Sequence, residues 1–292
     1  MAEDVARGAR QPAKRAAQGA MAAILPVSDP NDPRIAAYRS VRERDLVGRE
    51  GLFVAEGRVV LEKLARAGRH PLQSLLIAEP RLPGLQPLIE ALPSDVAVYA
   101  APQAVMDAIA GFPIHRGVLA IGERRRFSPS QLLEGLGESA LVVGLSAIAN
   151  HDNIGGVFRN AAAFGADAVL LDADCCDPLY RKAIRVSVGA ALTLPFARLG
   201  RDEDLAEVLA GAGLEVVALS PRGDIELSDF TGGSRIAALF GAEGPGLAPG
   251  LLARTRTVRI EMAGGFDSLN VATTSGMVLY QLSKRRSAER RA

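Results

Sequence analysis

At 292 residues, with 48% hydrophobic and 23% charged residues, the chain has the composition of a folded globular protein, with room for one large domain or two ordinary ones. A net charge of +1 excludes a global polycation, and no run of about 18 uninterrupted apolar residues marks a membrane span. Cys175 and Cys176 are adjacent and have no other cysteine to pair with, which excludes a disulfide framework within the chain and fits a reducing cytosol.

The opening, MAEDVARGARQPAKRAAQGAMAAIL, has basic residues and alanines but no secretory apolar stretch of convincing length; residues 1–29 read as a disordered, solvated tail, with an organelle presequence as the alternative, against which Glu3 and Asp4 count. Pro and Asp in SDPNDPRIAAY favour turns and a helix start. LFVAEG (52–57) and SLLIAE (74–79) read as strands, and RVVLEKLARAG (58–68) has apolar residues at helical spacing and ends in Gly. VAVYAA (96–101), a helix in PQAVMDAIA and a strand in GVLAIG (117–122) complete a small α/β unit over residues 30–125. Residues 126–139 read as a linker carrying a short helix, with Arg124, Arg125 and Arg126 at its start as a solvated face.

The second half, 140–286, carries nearly continuous apolar runs: ALVVGLSAI (140–148), DAVLLDA (167–173), LEVVALS (214–220), IAALFGAE (236–243) and TVRIEM (257–262). Such runs with helices between them predict a parallel sheet buried on both faces. Residues 287–292 read as a second tail.

In an open parallel sheet, ligands bind beyond the carboxyl ends of the strands. Three strand ends carry more than turn residues. In ANHDNIGGVFRNAAAFG (149–165), Gly155 and Gly156 would let backbone approach a ligand, and Arg159 would project from the first turn or so of a helix. In LFGAEGPGLAP (239–249), three glycines surround Glu243 without the Lys of a phosphate-binding loop. In GGFDSLNVATTSG (264–276), Ser268 can cap the following helix, which leaves Asp267 and Asn270 without a task unless they face a ligand. His70, His115 and His151 lie far apart, so no metal-ligand spacing is visible.

Together and in this order the three stretches resemble the SpoU/TrmH family of SPOUT RNA methyltransferases. The family's N-x-G-x-x-x-R motif falls on Asn153, Gly155 and Arg159, its G-x-E-G-x-G motif on Gly241, Glu243, Gly244 and Gly246, and its S-L-N-V motif on Ser268 to Val271. VSVGAALTLPF (186–196) is similar to the segment between the first two motifs, and FVAEGRVVLEKL and IHRGVLAIG are similar to the substrate-binding domain that often precedes the catalytic one. The chain departs from the pattern at Glu261, where the family often has Pro after the isoleucine.

The resemblance implies an α/β fold: a parallel-sheet catalytic domain with a C-terminal trefoil knot, preceded by a smaller α/β RNA-binding domain. It implies methyl transfer from S-adenosylmethionine to a ribose 2′-hydroxyl of RNA, ribosomal RNA first and transfer RNA second, by a cytoplasmic homodimer joined through the catalytic domain, without metal. It implies that Gly241, Gly246, Ile260, Met262 and Leu269 hold the cofactor. It implies catalytic tasks for Arg159, Asn153, Glu243, Ser268 and Asn270. Free arginine is too basic to act as a general base, so Arg159 is expected to hold phosphate and stabilise the developing alkoxide. Two other classes are weighed against this. A nicotinamide or flavin oxidoreductase would need G-x-G-x-x-G after the first strand, which is absent. A binding-only relative would have no need of Asn153, Arg159, Glu243, Ser268 and Asn270 together.

Overall fold

A computed structural model describes residues 22–39, 46–110, 116–264 and 268–289. The smaller sheet contains β1 (Ile24–Pro26), β2 (Leu52–Glu56), β3 (Leu72–Ala78), β4 (Ala97–Ala101) and β5 (Val118–Glu123), in the order β1-β4-β3-β5-β2. β1, β4 and β3 run parallel, while β5 runs antiparallel to both β3 and β2. Helices α1 (Arg58–Ala67), α2 (Leu82–Glu90) and α3 (Gln103–Ala110) connect these strands. Strand β1 lies inside the region expected to be tail. Three residues ending in Pro carry no periodicity of their own, and only the partner strand makes them a strand.

After α4 (Pro129–Glu134), which Ser128 starts with a capping box, the larger sheet begins. Its strands are β6 (Ala140–Leu145), β7 (Ala168–Leu171), β8 (Phe196–Arg198), β9 (Glu215–Leu219), β10 (Ile225–Glu226), β11 (Arg235–Phe240) and β12 (Arg256–Arg259). The order is β10-β12-β9-β11-β6-β7-β8, and every pair is parallel. Every residue of β6 and β7 is buried, as expected for a sheet covered on both faces. The covering helices include α5 (His151–Ala163), α6 (Arg181–Val186), α7 (Ala190–Thr193), α8 (Leu205–Gly211), α9 (Pro249–Leu252) and α10 (Val271–Glu289).

The two sheets share one apolar core, which runs from Phe53 and Val60 to Phe158 and Ile184. Polar contacts fasten the same seam. Arg181 donates to Glu56 Oε2 from Nη2 at 2.9 Å and from Nε at 3.1 Å. Arg124 pairs with Asp177 and is only 12% exposed, so it does not belong to the solvated face expected for the three arginines.

His70 sits in this seam, buried between Phe53 and Phe196, with Nδ1 accepting the Arg125 N–H at 3.1 Å. Burial, with the nearby Arg124 and Arg69 charges, lowers its pKa from 6.5 to about 4. The unfolded chain therefore binds this proton more tightly than the folded one. Stability from this residue is complete above the unfolded value and falls as the pH drops from about 6.5 toward 4. Urea unfolding at pH 7.5 and pH 4.5 is expected to differ by roughly 2 to 3 kcal/mol from His70 alone. In His70→Gln that share of the acid sensitivity should disappear; an unchanged difference would exclude His70 as its source.

Candidate active site

Strand β6 leads through α5 to β7 on one side, whereas β11 leads through α9 to β12 on the other, although β6 and β11 are neighbours. Their carboxyl ends thus form a topological switch point, where a crevice opens beyond the sheet. A cavity of about 1000 Å³ lies at this end of β9, β11 and β12. Gly241, Glu243, Gly246, Ile260, Met262, Ser268 and Leu269 all line it.

The glycine loop after β11 is folded on itself. Gly246 donates its N–H to the Ala242 carbonyl at 3.0 Å, and Gly244 and Gly246 take φ of 88° and 70°, which L side chains rarely adopt. A Cβ on Gly241 would stand 2.4 Å from the backbone of Gly246 and of Leu247. The loop therefore closes tightly on its own backbone and leaves peptide groups along one cavity wall.

Three side chains from distant segments meet beside this loop. Asn270 Nδ2 donates to Asn153 Oδ1 at 2.8 Å and to Glu243 Oε1 at 2.9 Å. Asn270 Oδ1 accepts the N–H of Ala272 at 2.9 Å and of Thr273 at 3.3 Å, so Asn270 caps α10. The cap expected from Ser268 therefore falls two residues later, and Ser268 lines the cavity instead. Asp267 lies outside the described residues.

Two further expectations change. Helix α5 starts at His151, capped by Asn150, so Arg159 lies in its third turn and not near its first. The Arg159 side chain is exposed, does not line the cavity, and makes no hydrogen bond or ion pair with the described residues. Gly155 and Gly156 serve packing, not ligand approach. A Cβ on Gly155 would meet the Ala183 carbonyl and Val186 Cβ of α6 at 2.9 Å, and one on Gly156 would meet Ala272 Cβ of α10 at 2.6 Å. Asn160 completes that helix contact, donating from Nδ2 to the Ala272 carbonyl at 2.6 Å and to Ser275 Oγ at 3.0 Å.

The cavity also takes in Leu219 at the end of β9 and Ser220, Arg222 and Asp224 just after it. Sequence reasoning passed over them, yet the rule that finds the other three stretches applies here too: SPRGD directly follows an apolar run. Asp224 is fixed by Thr257 Oγ1 at 2.7 Å, which ties the β9 end to β12. A neighbouring cavity of about 590 Å³ shares Ile260 and Met262 and includes Glu261 and Met277. Among the described residues no cluster of His, Cys, Asp and Glu is placed to hold a metal, and no helix is long and apolar enough to cross a membrane.

Comparison with known proteins agrees with this geometry. Residues 140–280 match the SpoU rRNA Methylase family. The chain is 36% identical over 270 residues to an uncharacterized tRNA/rRNA methyltransferase of Mycobacterium bovis, covering 89% of this chain and 92% of the relative. In fold it is similar to an AdoMet-bound rRNA methyltransferase from Sinorhizobium meliloti, with a TM-score of 0.77 at 23% identity over 90% of this chain and 98% of the other. An RNA 2′-O ribose methyltransferase superposes with a TM-score of 0.73 at 25% identity, over 90% of this chain and all of the other. The cavity beyond β9, β11 and β12, the three motif segments that meet beside it and the near full-length similarity lead to one assignment: the chain belongs to the SpoU family of RNA methyltransferases.

Proposed function

We propose that the chain transfers a methyl group from S-adenosylmethionine to a ribose 2′-hydroxyl of structured RNA, with ribosomal RNA as the substrate class. The observation that carries this reading is the convergence of the loop at Gly241–Gly246 and the Ser268–Leu269 segment on one cavity, locked by Asn153, Asn270 and Glu243. The wall suits a cationic nucleoside. Ile260 and Leu269 offer apolar surface for a purine, the glycine backbone offers donors and acceptors for its edge, and Glu243 offers a negative charge. S-adenosylmethionine bound there supplies an activated methyl on sulfonium, a reaction that requires no metal. The relatives' description as tRNA/rRNA methyltransferases keeps transfer RNA as the second reading.

The chain's own residues must position the acceptor and manage its proton. Asn153 and Asn270 hold Glu243 toward the cavity. Ser268 lies within reach of a ligand there. Arg159 supplies a planar cation for phosphate and for the developing alkoxide. Because Arg159 stands outside its own chain's cavity, it acts through assembly. The exposed Met277 and Tyr280 on α10, which packs along α5, support a homodimer through this face in which Arg159 of one protomer serves its partner's cavity. The C-terminal segment that lines the cavity forms the trefoil knot, and the smaller sheet grips the RNA. The unbridged Cys175 and Cys176 suit a reducing cytoplasm.

Calorimetric titration in the presence of chelator is expected to show about one S-adenosylmethionine per chain. A folded protein that fails to bind would remove the cofactor assignment. Mapping 2′-O-methyl sites in total RNA from cells with and without the gene decides between the two substrates and tests the ribose chemistry itself.

A further inference from the structure

Helix α6 ends in a Schellman motif: Gly189 donates its N–H to the Ile184 carbonyl at 2.9 Å, and Val188 to the Arg185 carbonyl at 3.0 Å. The residue after the cap of such a motif takes the left-handed conformation and is usually Gly. Here it is Val188, at φ 52°. A β-branched residue in that region is a true outlier and must be held there by its surroundings. The contact that holds it comes from the other sheet's unit. Lys63 of α1 donates from Nζ to the Val188 carbonyl at 2.7 Å. The Lys63 stem lies over the next residue: a Cβ on Gly189 would stand 3.2 Å from Lys63 Cδ and 3.5 Å from Val60 Cα.

The other side of the same segment bears on the catalytic helix. Ala183 and Val186 of α6 occupy the space where Gly155 of α5 lacks a Cβ. Just before that contact, α5 presents Asn153, which binds Asn270. The α6 end is thus pressed between α1 on one face and α5 on the other.

We propose that Lys63 is a positioning residue: by holding the strained Val188 turn it sets α6 against α5, and so couples the docking of the smaller unit to the placement of Asn153. A salt link such as Arg181 to Glu56 would only fasten the two units. The Lys63 contact differs because it acts on a backbone conformation that would otherwise relax. Relaxation at Val188 shifts the residues against which Gly155 is fitted, and close-packed helices cannot absorb such a shift locally.

The test uses the full chain with Lys63→Met, Val188→Gly and both together. The activity arm rests on the methyl-transfer reading, whereas the exchange arm does not. Lys63→Met is expected to speed amide hydrogen exchange in the first half of α5 and to slow single-turnover methyl transfer, each by about tenfold, the order set by losing one charge-assisted hydrogen bond. S-adenosylmethionine affinity should fall by no more than the transfer rate does, because Asn153 reaches the cavity wall only through Asn270 and Glu243. Val188→Gly alone should raise the melting temperature, since glycine adopts this conformation freely. In the double variant the turn is unstrained and no longer needs the clamp, so exchange and turnover should return close to the values of Val188→Gly. Lys63→Met with unaltered α5 exchange would overturn the proposal. So would a double variant as impaired as Lys63→Met, which would reduce Lys63 to a simple attachment point. If the wild-type chain transfers no methyl group to RNA, the proposed function fails, and the exchange measurements still decide the role of Lys63.

Discussion

Arg159→Ala is expected to slow methyl transfer by about 100- to 1,000-fold, the usual cost of losing a donor that stabilises charge in the transition state. Fold and cofactor affinity should be nearly untouched, because the side chain is exposed and lines no part of the cavity. Arg159→Lys should also be poor: lysine keeps the charge but loses the planar fork that can hold phosphate and hydroxyl oxygens together. If Arg159 were only a surface residue of α5, both substitutions would be silent. Single-turnover methylation beside thermal melting and cofactor titration separates these cases. The proposed dimer adds a sharper criterion. Chains carrying Arg159→Ala, mixed with chains carrying Gly241→Ala, should regain activity in heterodimers that combine one intact cavity with one intact arginine. Absence of any recovery would place arginine and cavity on the same protomer.

Gly241→Ala is expected to lower S-adenosylmethionine affinity by roughly 10- to 100-fold, on the scale of overpacking in a closed site. The new methyl group would lie 2.4 Å from backbone atoms of Gly246 and Leu247, which cannot rotate away as a side chain could. The loop must open, and its opening removes the peptide wall of the cavity. Gly250→Ala is the control, since nothing lies within 4 Å of that position and its backbone is not left-handed. Equal cofactor affinity for the two variants would show that the loop tolerates expansion and that its closure is not what shapes the cavity.

The larger sheet was legible because strands buried on both faces leave uninterrupted apolar runs: β6, β7, β9, β11 and β12 all coincide with stretches that such runs predict. The strands that escaped, β1, β8 and β10, have three, three and two residues, too few for any period to register. The cavity residues were found because strand ends focus ligand chemistry and because their motifs recur in a family. The finer geometry was not legible, for reasons that differ by residue. Asn270 and Ser268 are both good caps, and only the structure shows the Ala272 and Thr273 N–H groups going to Asn270, which Asn153 and Glu243 hold in place. Gly155 and Gly156 look the same in sequence whether a ligand or a helix fills the missing Cβ space. Val188 carries no sign of a left-handed backbone, since that conformation is imposed from another part of the chain.

The link from Asn153 through Asn270 to Glu243 also bears on when the site can exist during synthesis. Asn270 stands 117 positions from Asn153 and 27 from Glu243 along the chain, so the link that holds Glu243 closes only after the C-terminal segment is in place. While the ribosome is still adding residues before Asn270, the sheet can begin to form, but α10 does not yet exist and Glu243 lacks the Asn270 donor that holds it. Such a nascent chain lacks the wall that Ser268, Leu269 and Val271 supply, so it is expected to hold the methyl donor weakly and to gain little guidance from it. The donor mainly selects chains in which the closing segment has already found its place, so it acts as an inspector of finished folds and lends little to the slow, long-range steps before them.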